Sequence, residues 1–423
     1  MINKKSINAV NQSVFAKNFI KPLYDSYCFS NIPQTIINLL TEEKQPGLPD
    51  DIFGPLPKKY DKVIFFLVDA FGWRFFEKYR SHPFLRKIIR QGVASKITSM
   101  FPSTTAAHVT TIHTGLPLTK SAILEWYYYE PKLDSIFAPI PFTYARQRKM
   151  KNLLAFGLNP RKIYPNQSFY NVLKKHSVYS YAINYDEYIN SVYSRFAIRG
   201  ARAVPFQTFS KGLDDLIKLV LTEKRKAYYF VYFDRLDSIG HHFGPESKQL
   251  EAEIDVFLSL LDRRFYQNIK GKAKNTLLII TADHGLTAID PKKTVYLNRK
   301  FRRLKKYLRT SKKGELLAPA GSCRDMFLYI KDEYLDEAYV YLQESLIKTV
   351  QVFKTQYLID QGFFGSGKPS RLFMKRAGNL IILPYENESV WWYERGVFEV
   401  KHLGHHGGLS RNEMEIPFLI YSF

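Results

Sequence analysis

Apolar residues in this chain fall into short continuous runs that alternate with amphipathic stretches. The runs KVIFFLV, AYYFVYF and NTLLIIT are typical of buried strands, and GVASKITSM, SVYSYAINY and IPFLIYSF carry a weaker strand pattern. The stretches from Trp73 to about Arg90, KGLDDLIKLVLTEK and EAEIDVFLSLLDRRFYQNI have the apolar spacing of helices. Strands that alternate with helices predict an α/β fold with a mainly parallel central sheet and helices on both faces.

The same pattern divides the chain into segments. Residues 1–55 carry mostly helical signals and end in a proline- and glycine-rich loop, which predicts an extension before the main domain. We assign residues 56–290 and 371–423 to the core, because NLIILPY and IPFLIYSF resume the strand pattern there. Residues 291–370 interrupt the alternation and predict a small inserted cap subdomain.

Charge adds a hypothesis about partners. The 423 residues include 62 Lys and Arg against 39 Asp and Glu, a formal net charge of +23. Residues 290–313 are especially basic, and LNRKFRRLKKYLRT could form a basic amphipathic helix. Such a surface could bind nucleic acid or an anionic membrane. An ordinary solvated face, or a general bias of the source towards Lys and Arg, explains the charge as well.

The cysteines and the longest apolar runs indicate in which cellular compartment to expect the protein. Cys28 and Cys323 could form one disulfide but not a disulfide framework. The first residues lack the continuous apolar region of a signal peptide, and the apolar runs are too short to span a bilayer. We therefore expect a cytoplasmic protein without a transmembrane segment.

Side chains that bind metals recur at the ends of the predicted strands. Asp69 follows VIFFLV, and Asp283 and His284 follow NTLLIITA. Active sites of open α/β sheets lie at strand ends, where neighbouring side chains of one loop can reach the same ion. Asp237 and His241 are four residues apart in DSIGHHFGP and could also share an ion. Taken singly, each motif could equally be a polar turn or a helix cap.

Two further segments could complete a dinuclear site. His405 and His406 lie between glycines in GHHGG, and one of them could join the pair in DSIGHHFGP. In FPSTTAAHVTTIHTG a hydroxyl of Ser103, Thr104 or Thr105 precedes a helix, where an anion is favoured, although it could merely cap that helix. Three carboxylates, three imidazoles and a hydroxyl are the groups that two divalent ions need around a phosphate.

In this order, the motifs VDAFG, FPSTTAAHVTTIHTG, DSIGHHFGP, TADHG and GHHGG resemble the alkaline phosphatase superfamily. The resemblance is closest to its nucleotide pyrophosphatase and type I phosphodiesterase family, and runs from about Lys62 to the C-terminus, apart from the insertion. It implies an alkaline-phosphatase-like fold and a hydrolase of phosphoric esters. It also implies two divalent metal ions; zinc suits mixed His and Asp ligands best, and manganese or iron would also fit.

The resemblance also implies the role of each residue. Asp69, Asp283 and His284 would hold one zinc ion, with Thr105 beside it, and Asp237, His241 and His406 would hold the other. Thr105 is chosen because family members carry the nucleophile nine residues before the threonine of a TG pair, here Thr114. The implied reaction is in-line attack by Thr105 on phosphorus, with a covalent phosphothreonine intermediate.

One position departs from the family pattern and leaves the substrate open. Phosphodiesterases of the family place an asparagine after the nucleophile to hold a phosphate oxygen, where this chain has Trp126, flanked by Glu125 and Tyr127. We expect substrate contacts from Trp126, Tyr127 and His108. The aromatic side chains, including Tyr128, could stack on a base or could equally belong to the core.

Three hypotheses follow for the function. The first is a two-zinc phosphodiesterase or nucleotide pyrophosphatase that acts on a small phosphate ester or a nucleotide-like substrate. The second, motivated by the missing asparagine, is a phosphomonoesterase or phosphonate hydrolase on the same scaffold. The third is a basic protein that binds nucleic acid or an anionic membrane and has a structural metal site.

Overall fold

A seven-stranded sheet forms the centre of the computed structural model, which describes residues 1–17, 19–146 and 152–423. In chain order its strands are β1 (Lys62–Val68), β2 (Val93–Thr98), β3 (Tyr179–Tyr185), β4 (Arg202–Phe206), β5 (Ala227–Phe233), β6 (Thr276–Thr281) and β7 (Glu415–Ser422). Their spatial order is β2-β7-β6-β1-β5-β3-β4, and β7 is antiparallel to both neighbours while the other pairs are parallel. The predicted α/β fold with a mainly parallel sheet is confirmed.

Helices pack against this sheet and against the smaller sheets. The longer ones are Lys4–Gln12, Ile32–Leu40, Trp73–Tyr79, Pro83–Gln91, Thr105–Thr114, Phe169–Lys175, Phe209–Thr222, Arg235–Phe243, Lys248–Leu260 and Leu335–Leu346. Shorter ones are Leu118–Ser121, Asp186–Ile189, Val192–Ala197, Gln267–Ile269, Leu297–Lys300, Leu304–Tyr307, Thr355–Asp360, Arg371–Arg376 and Arg411–Met414. The single helix expected from Trp73 to about Arg90 is two helices, because Pro83 lacks the N–H that a continuous helix needs and begins the second one.

A second, antiparallel sheet lies largely in the predicted insertion. Its strands, in spatial order, are Ala320–Ser322, Asp325–Leu328, Leu380–Pro384 and Val350–Lys354. The strand Leu380–Pro384, which we expected in the core segment 371–423, pairs with this sheet instead. The smaller strand sets are Val14–Phe15 with Phe19–Ile20, Tyr128–Glu130 with Ser135–Ala138 and Thr143–Tyr144, Thr287–Ala288 with Gly404–His405, and Val295–Tyr296 with Val390–Trp391. The division into an extension, a core and a cap stays a prediction.

The basic segment differs from the helix that we considered. It contains two single-turn helices instead of one continuous helix. Some of its charge is engaged within the protein, since Arg299 lies 3.3 Å from the ring centre of Tyr393 and Arg309 pairs with Asp332 at 2.6 Å. These contacts favour a structural role for the segment over a free basic surface.

Two other expectations about the chain have outcomes in the structure. Cys28 and Cys323 are buried free thiols, so the disulfide that the sequence allowed is not formed. Among the described residues, no helix combines the length and the apolar character that crossing a bilayer requires.

The topology brings distant segments to one edge of the sheet. The parallel strands β1 and β6 end there, directly before Asp69 and shortly before Asp283. Because β7 is antiparallel, it begins at the same edge, where Glu415 pairs with Thr98, the last residue of β2. The loop before β7, which carries His406, therefore returns to the edge at which the other candidate ligands lie.

Candidate active site

Thr105 begins the helix that follows β2. Thr104 occupies the N-cap position with extended backbone angles, but its side chain makes no capping hydrogen bond. The Thr105 hydroxyl lies 3.4 Å from Asp69 Oδ2 and 3.2 Å from His284 Nε2. Ser103 is engaged elsewhere, because its Oγ donates to the Gly408 carbonyl at 2.8 Å. Of the three hydroxyls that the sequence left open, the one of Thr105 is the one beside these two candidate ligands.

Asp69, Asp283 and His284 form a buried cluster beside this hydroxyl. His284 Nε2 lies 3.4 Å from Asp69 Oδ1 and 3.4 Å from Asp283 Oδ2. The other ring nitrogen of His284 lies 3.1 Å from the Gly285 carbonyl, which directs Nε2 towards the carboxylates. Asp283 Oδ1 accepts from the backbone N–H groups of Ala70 and His284. One oxygen of this carboxylate is thus held by the protein, and the other faces the cluster.

The second predicted triplet converges on the same place. Asp237 Oδ1 lies 3.3 Å from His241 Nε2 and 3.8 Å from His406 Nε2. His241 Nδ1 lies 2.7 Å from the Gly404 carbonyl, and His406 Nδ1 lies 2.9 Å from the Ser103 carbonyl. Each imidazole is therefore oriented by a backbone acceptor, with Nε2 directed inwards.

The grouping of the donor atoms differs in one respect from the two expected triplets. The donor atoms of Asp69, Asp283 and His284 lie within 4.8 Å of one another, as do those of Asp237, His284 and His406. His284 and His406 are stacked, with ring centres 3.6 Å apart. His241 contacts Asp237 but forms its own group with His402 and His405. The structure thus brings all seven predicted residues together, while the sharing of ligands between two ions stays a prediction.

The cluster has the electrostatic character of a cation site. Asp69 Oδ1, Asp237 Oδ1 and Asp283 Oδ2 are buried and have no hydrogen-bond partner among the described residues. Burial raises the pKa of Asp69 and Asp237, and the nearby negative charge of Asp283 raises both further. Burial lowers the pKa of His241 to about 4, which keeps its imidazole neutral and able to bind a metal. Buried carboxylates that repel one another, interleaved with neutral imidazoles, fit divalent ions with mixed nitrogen and oxygen ligands.

A cavity of about 470 Å³ opens from this cluster. Thr105, Asp237, His241 and His406 lie on its floor side, and its wall is aromatic, formed by Trp126, Tyr127, Trp391 and Phe398. The expected positions Trp126 and Tyr127 therefore line it. The Tyr127 ring centre lies 6.4 Å from that of Trp391 and 5.7 Å from that of Phe398. Sequence reasoning missed Trp391 and Phe398, because they come from a loop beyond the insertion with no recognisable motif.

His108 and Tyr128 lie away from the cavity. His108 is fully buried; its Nδ1 lies 2.7 Å from the Thr104 carbonyl, and its Nε2 accepts from the backbone N–H of Met100 at 3.0 Å. Both ring nitrogens are thus occupied within the protein, and we no longer expect the substrate contact assigned to His108. Tyr128 is a core residue that packs against the Arg376 guanidinium at 4.7 Å.

Glu125 is an unanticipated member of the cavity wall. It is 1% exposed, and the Trp126 backbone N–H donates to its carboxylate. Burial raises its pKa to about 7, while hydrogen bonds from Trp126, Thr104 and Asp325 counteract this effect. Asp325, itself fully buried, accepts from the N–H and the hydroxyl of Ser322 through Oδ1. A pair of buried carboxyl groups thus lies next to Thr104.

Comparison with known proteins decides the family. The family model for type I phosphodiesterase / nucleotide pyrophosphatase matches residues 63–409. The chain belongs to this family. The match spans the metal cluster, Thr105 and the insertion, and it confirms the resemblance drawn from the motifs.

Relatives in the family are similar over part of their length. Venom phosphodiesterase of Naja atra is 26% identical over 255 residues, which are 58% of this chain and 29% of that protein. Ectonucleotide pyrophosphatase/phosphodiesterase family member 7 of Rattus norvegicus is 28% identical over 145 residues, 32% of either protein. The chain therefore spans about a third of the length of these relatives.

Solved structures share the fold over most of the chain. Murine ectonucleotide pyrophosphatase/phosphodiesterase 5 superposes with a TM-score of 0.63 at 19% identity, covering 86% of this chain and 88% of that one. An inactive variant of that protein has been solved in complex with AMP. Phosphonoacetate hydrolase of Sinorhizobium meliloti 1021 superposes with a TM-score of 0.60 at 16% identity, covering 85% and 89%. At these identities the likeness supports the fold alone.

Proposed function

We propose that this protein is a metal-dependent phosphodiesterase of the nucleotide pyrophosphatase type, with two zinc ions and Thr105 as the nucleophile. The observation that carries the proposal is the set of three buried carboxylate oxygens without hydrogen-bond partners among the described residues, beside a threonine hydroxyl that contacts Asp69 and His284. Asp69, Asp283 and His284 would hold one ion, and Asp237, His241 and His406 the other. Mixed imidazole and carboxylate ligands favour zinc, and manganese or iron would be the alternatives.

The residues around Thr105 suit attack on phosphorus. When bound, the two ions would lower the pKa of the Thr105 hydroxyl and neutralise negative charge on the phosphate. Thr105 Oγ1 forms the new bond to phosphorus while the bond from phosphorus to the leaving oxygen breaks. Its proton leaves towards Asp69 Oδ2, which lies 3.4 Å away. Because the Thr104 side chain does not cap the helix, the first-turn N–H groups can donate to phosphate oxygens. Water then hydrolyses the phosphothreonine and restores the hydroxyl.

The nucleophile assignment is tested with bis(p-nitrophenyl) phosphate and zinc. We expect Thr105→Ala to lower turnover by about 10³-fold or more, and Thr105→Ser to retain part of it, because only the serine variant keeps an attacking hydroxyl. Thr104→Ala is the matched control and should remain active. After acid quenching, the wild-type peptide that contains Thr105 should carry the mass of the substrate's phosphoryl group. Full turnover by Thr105→Ala, or loss of turnover in Thr104→Ala instead, would remove Thr105 from this role.

We further propose that the substrate is a singly charged diester with a flat ring system, as in a nucleotide. The aromatic wall offers faces on which a base could stack. Among the described residues that line the cavity, Lys401 is the one Lys or Arg, and it pairs with Glu399 at 3.0 Å, so Glu125 is left to add negative charge. A second negative charge on a phosphomonoester would therefore meet repulsion that a diester avoids.

This substrate preference is tested by comparing bis(p-nitrophenyl) phosphate with p-nitrophenyl phosphate at pH 8.5. We expect kcat/KM to be higher for the diester than for the monoester in the wild type. In Glu125→Gln, the ratio of kcat/KM for the diester to kcat/KM for the monoester should fall, because monoester hydrolysis becomes faster. A wild type that prefers the monoester would support the phosphomonoesterase alternative instead.

A further inference from the structure

His241 forms a cluster with His402 and His405, two histidines that also line the cavity but are not among the six proposed ligands. The donor atoms of His241, His402 and His405 all lie within 4.8 Å of one another. Their ring centres are 5.1 Å apart for His241 and His402, 5.1 Å for His241 and His405, and 5.7 Å for His402 and His405. His405 Nε2 is buried and has no hydrogen-bond partner among the described residues. An unpartnered imidazole nitrogen that faces two other imidazoles is suited to a transition-metal ion.

The separation of these donors is close to what zinc requires. With Zn–N bonds of about 2.0–2.1 Å in a tetrahedron, two nitrogen ligands lie about 3.3 Å apart. A rotation of the exposed His402 side chain would bring its donor nitrogen closer to the other two. His402 is exposed, and His405 is half-buried behind it. Further in lie Asp69, Asp283 and His284, which are almost completely buried. Asp237 and His406 are half-buried like His405, so an ion that enters from solvent would meet His402 first.

His241 connects the outer cluster to the inner one. Its Nδ1 is bound to the Gly404 carbonyl at 2.7 Å, so Nε2 is the nitrogen available for a metal. The same Nε2 lies 3.3 Å from Asp237 Oδ1. A single nitrogen can bind one ion at a time, so an ion held by the three histidines cannot share His241 with an ion held by Asp237. Two ion positions that share His241 could therefore be occupied only one after the other.

We propose that His402 and His405, together with His241, form an outer zinc-binding position that captures an ion from solvent and passes it inwards to Asp237 and His406. The proposal rests on the two-zinc function proposed above. During transfer His241 stays bound while the two outer imidazoles are exchanged for the carboxylate and the inner imidazole. The outer position therefore sets the rates at which zinc enters and leaves, and leaves the final affinity unchanged.

The test measures zinc transfer directly and requires no substrate. The full-length protein is stripped with a chelator, and zinc uptake is followed by stopped flow as the loss of colour of a zinc-bound metallochromic indicator. The test variant is His402→Ala, whose exposed side chain can be removed without disturbing the core. His242→Ala is the matched control. His242 is exposed and adjacent to His241 in the sequence, but its ring packs on Phe243 and is not part of the three-histidine cluster.

The expected result is a matched slowing in both directions. His402→Ala should load zinc about tenfold more slowly, which corresponds to about 1.4 kcal/mol at the outer position. Because the final affinity is unchanged, release of zinc from the loaded variant to excess chelator should slow by the same factor. His242→Ala should match the wild type. Equal rates in His402→Ala and the wild type would overturn the proposal, as would a loss of tightly bound zinc, which would make His402 a permanent ligand.

The outcome is separable from that of the proposed function. If zinc enters through the outer position but the loaded protein hydrolyses no phosphate ester, the proposed activity fails and the outer position stands. If the protein hydrolyses diesters but His402→Ala exchanges zinc like the wild type, the activity stands and the outer position fails.

Discussion

A buried ion pair between Arg324 and Glu413 stabilises the loop that carries His406. Both side chains are 0% exposed. Arg324 donates to Glu413 through Nε at 3.0 Å and Nη2 at 2.9 Å, and through Nη1 to the Tyr385 carbonyl at 2.8 Å. Glu413 also accepts from the backbone N–H groups of Gly408 and Ser410 at 3.0 and 3.1 Å. The pair therefore joins the second sheet to the loop just after the histidine.

Glu413→Gln should destabilise the protein strongly. The amide has no charge to compensate Arg324, and its NH₂ group must face one of the N–H donors that the carboxylate accepted. Removing one partner of a buried pair costs about 3–5 kcal/mol, so we expect this loss in the free energy of unfolding. Urea unfolding of the zinc-loaded protein measures it. The exposed pair Arg309–Asp332 gives a matched control: Asp332→Asn should cost about 0–1 kcal/mol.

The double variant tests whether the cost comes from the pair. Arg324→Met alone should also destabilise, and Arg324→Met/Glu413→Gln should lose less than the sum of the two, with a coupling of about 1–3 kcal/mol. Zinc affinity should fall in Glu413→Gln by about 10–100-fold, as for other residues that orient a metal ligand. A loss below about 1 kcal/mol in Glu413→Gln would refute the reasoning, and unchanged zinc affinity would limit the pair to bracing the fold.

Three further predictions concern the site. Folding raises the pKa of Glu125 from 4.5 to about 7, so the wild type loses free energy of unfolding as pH rises through that interval. Glu125→Gln cannot ionise and should not show this loss. In urea unfolding, the free energy of unfolding of Glu125→Gln relative to the wild type should therefore increase by on the order of 3 kcal/mol between pH 4.5 and 8. Zinc at about 1,000 times its Kd should raise the free energy of unfolding by about 4 kcal/mol, and calorimetry should find weaker binding as pH falls and the carboxylates protonate. Gly404→Ala should weaken zinc binding about tenfold in indicator titrations, because its Cβ would lie 2.4 Å from the Gly240 carbonyl and displace the acceptor of His241. The first argument would be contradicted if Glu125→Gln kept the pH dependence of the wild-type free energy of unfolding. The second would be contradicted if a chelator left the free energy of unfolding unchanged. The third would be contradicted if Gly404→Ala bound zinc with wild-type affinity.

The central strands could be predicted because their signals are local. β1, β5 and β6 are buried on both faces, so each is a continuous apolar run that the sequence displays directly. The edge strand β4 has no such signal: most of its residues are partly or fully exposed, and it contains Pro205, which an edge strand tolerates. The pairing of Leu380–Pro384 also escaped prediction, because an apolar strand does not encode which of two sheets it joins.

The convergence of the candidate metal ligands could be predicted for a related reason. Asp69 lies directly after a buried strand and Asp283 two residues after another, so the backbone that carries them is fixed by the sheet, and the order of such motifs along the chain is distinctive. The grouping of His241 with His402 and His405 was not foreseeable, since it depends on how a loop folds across a helix. The pair Glu125 and Asp325 likewise joins segments about two hundred residues apart in the sequence, beyond the reach of spacing rules.

The candidate metal cluster and the aromatic cavity wall therefore differ in the elements that position their side chains. The proposed ligands Asp69, Asp283 and His284 follow strands whose register is set by a buried sheet, so a change there should disturb the proposed reaction with every substrate. The cavity wall is built from Trp126, Trp391 and Phe398, which lie in segments outside the central sheet. Such segments tolerate substitution better than buried strands. A family that keeps one reaction at phosphorus can thus vary its substrates through the wall, and here the wall combines aromatic faces with the buried carboxyl of Glu125. In the proposed reaction, substrate choice should therefore follow from ring stacking and from the charge of the ester, while the candidate metal cluster would determine only that the bond broken is one to phosphorus.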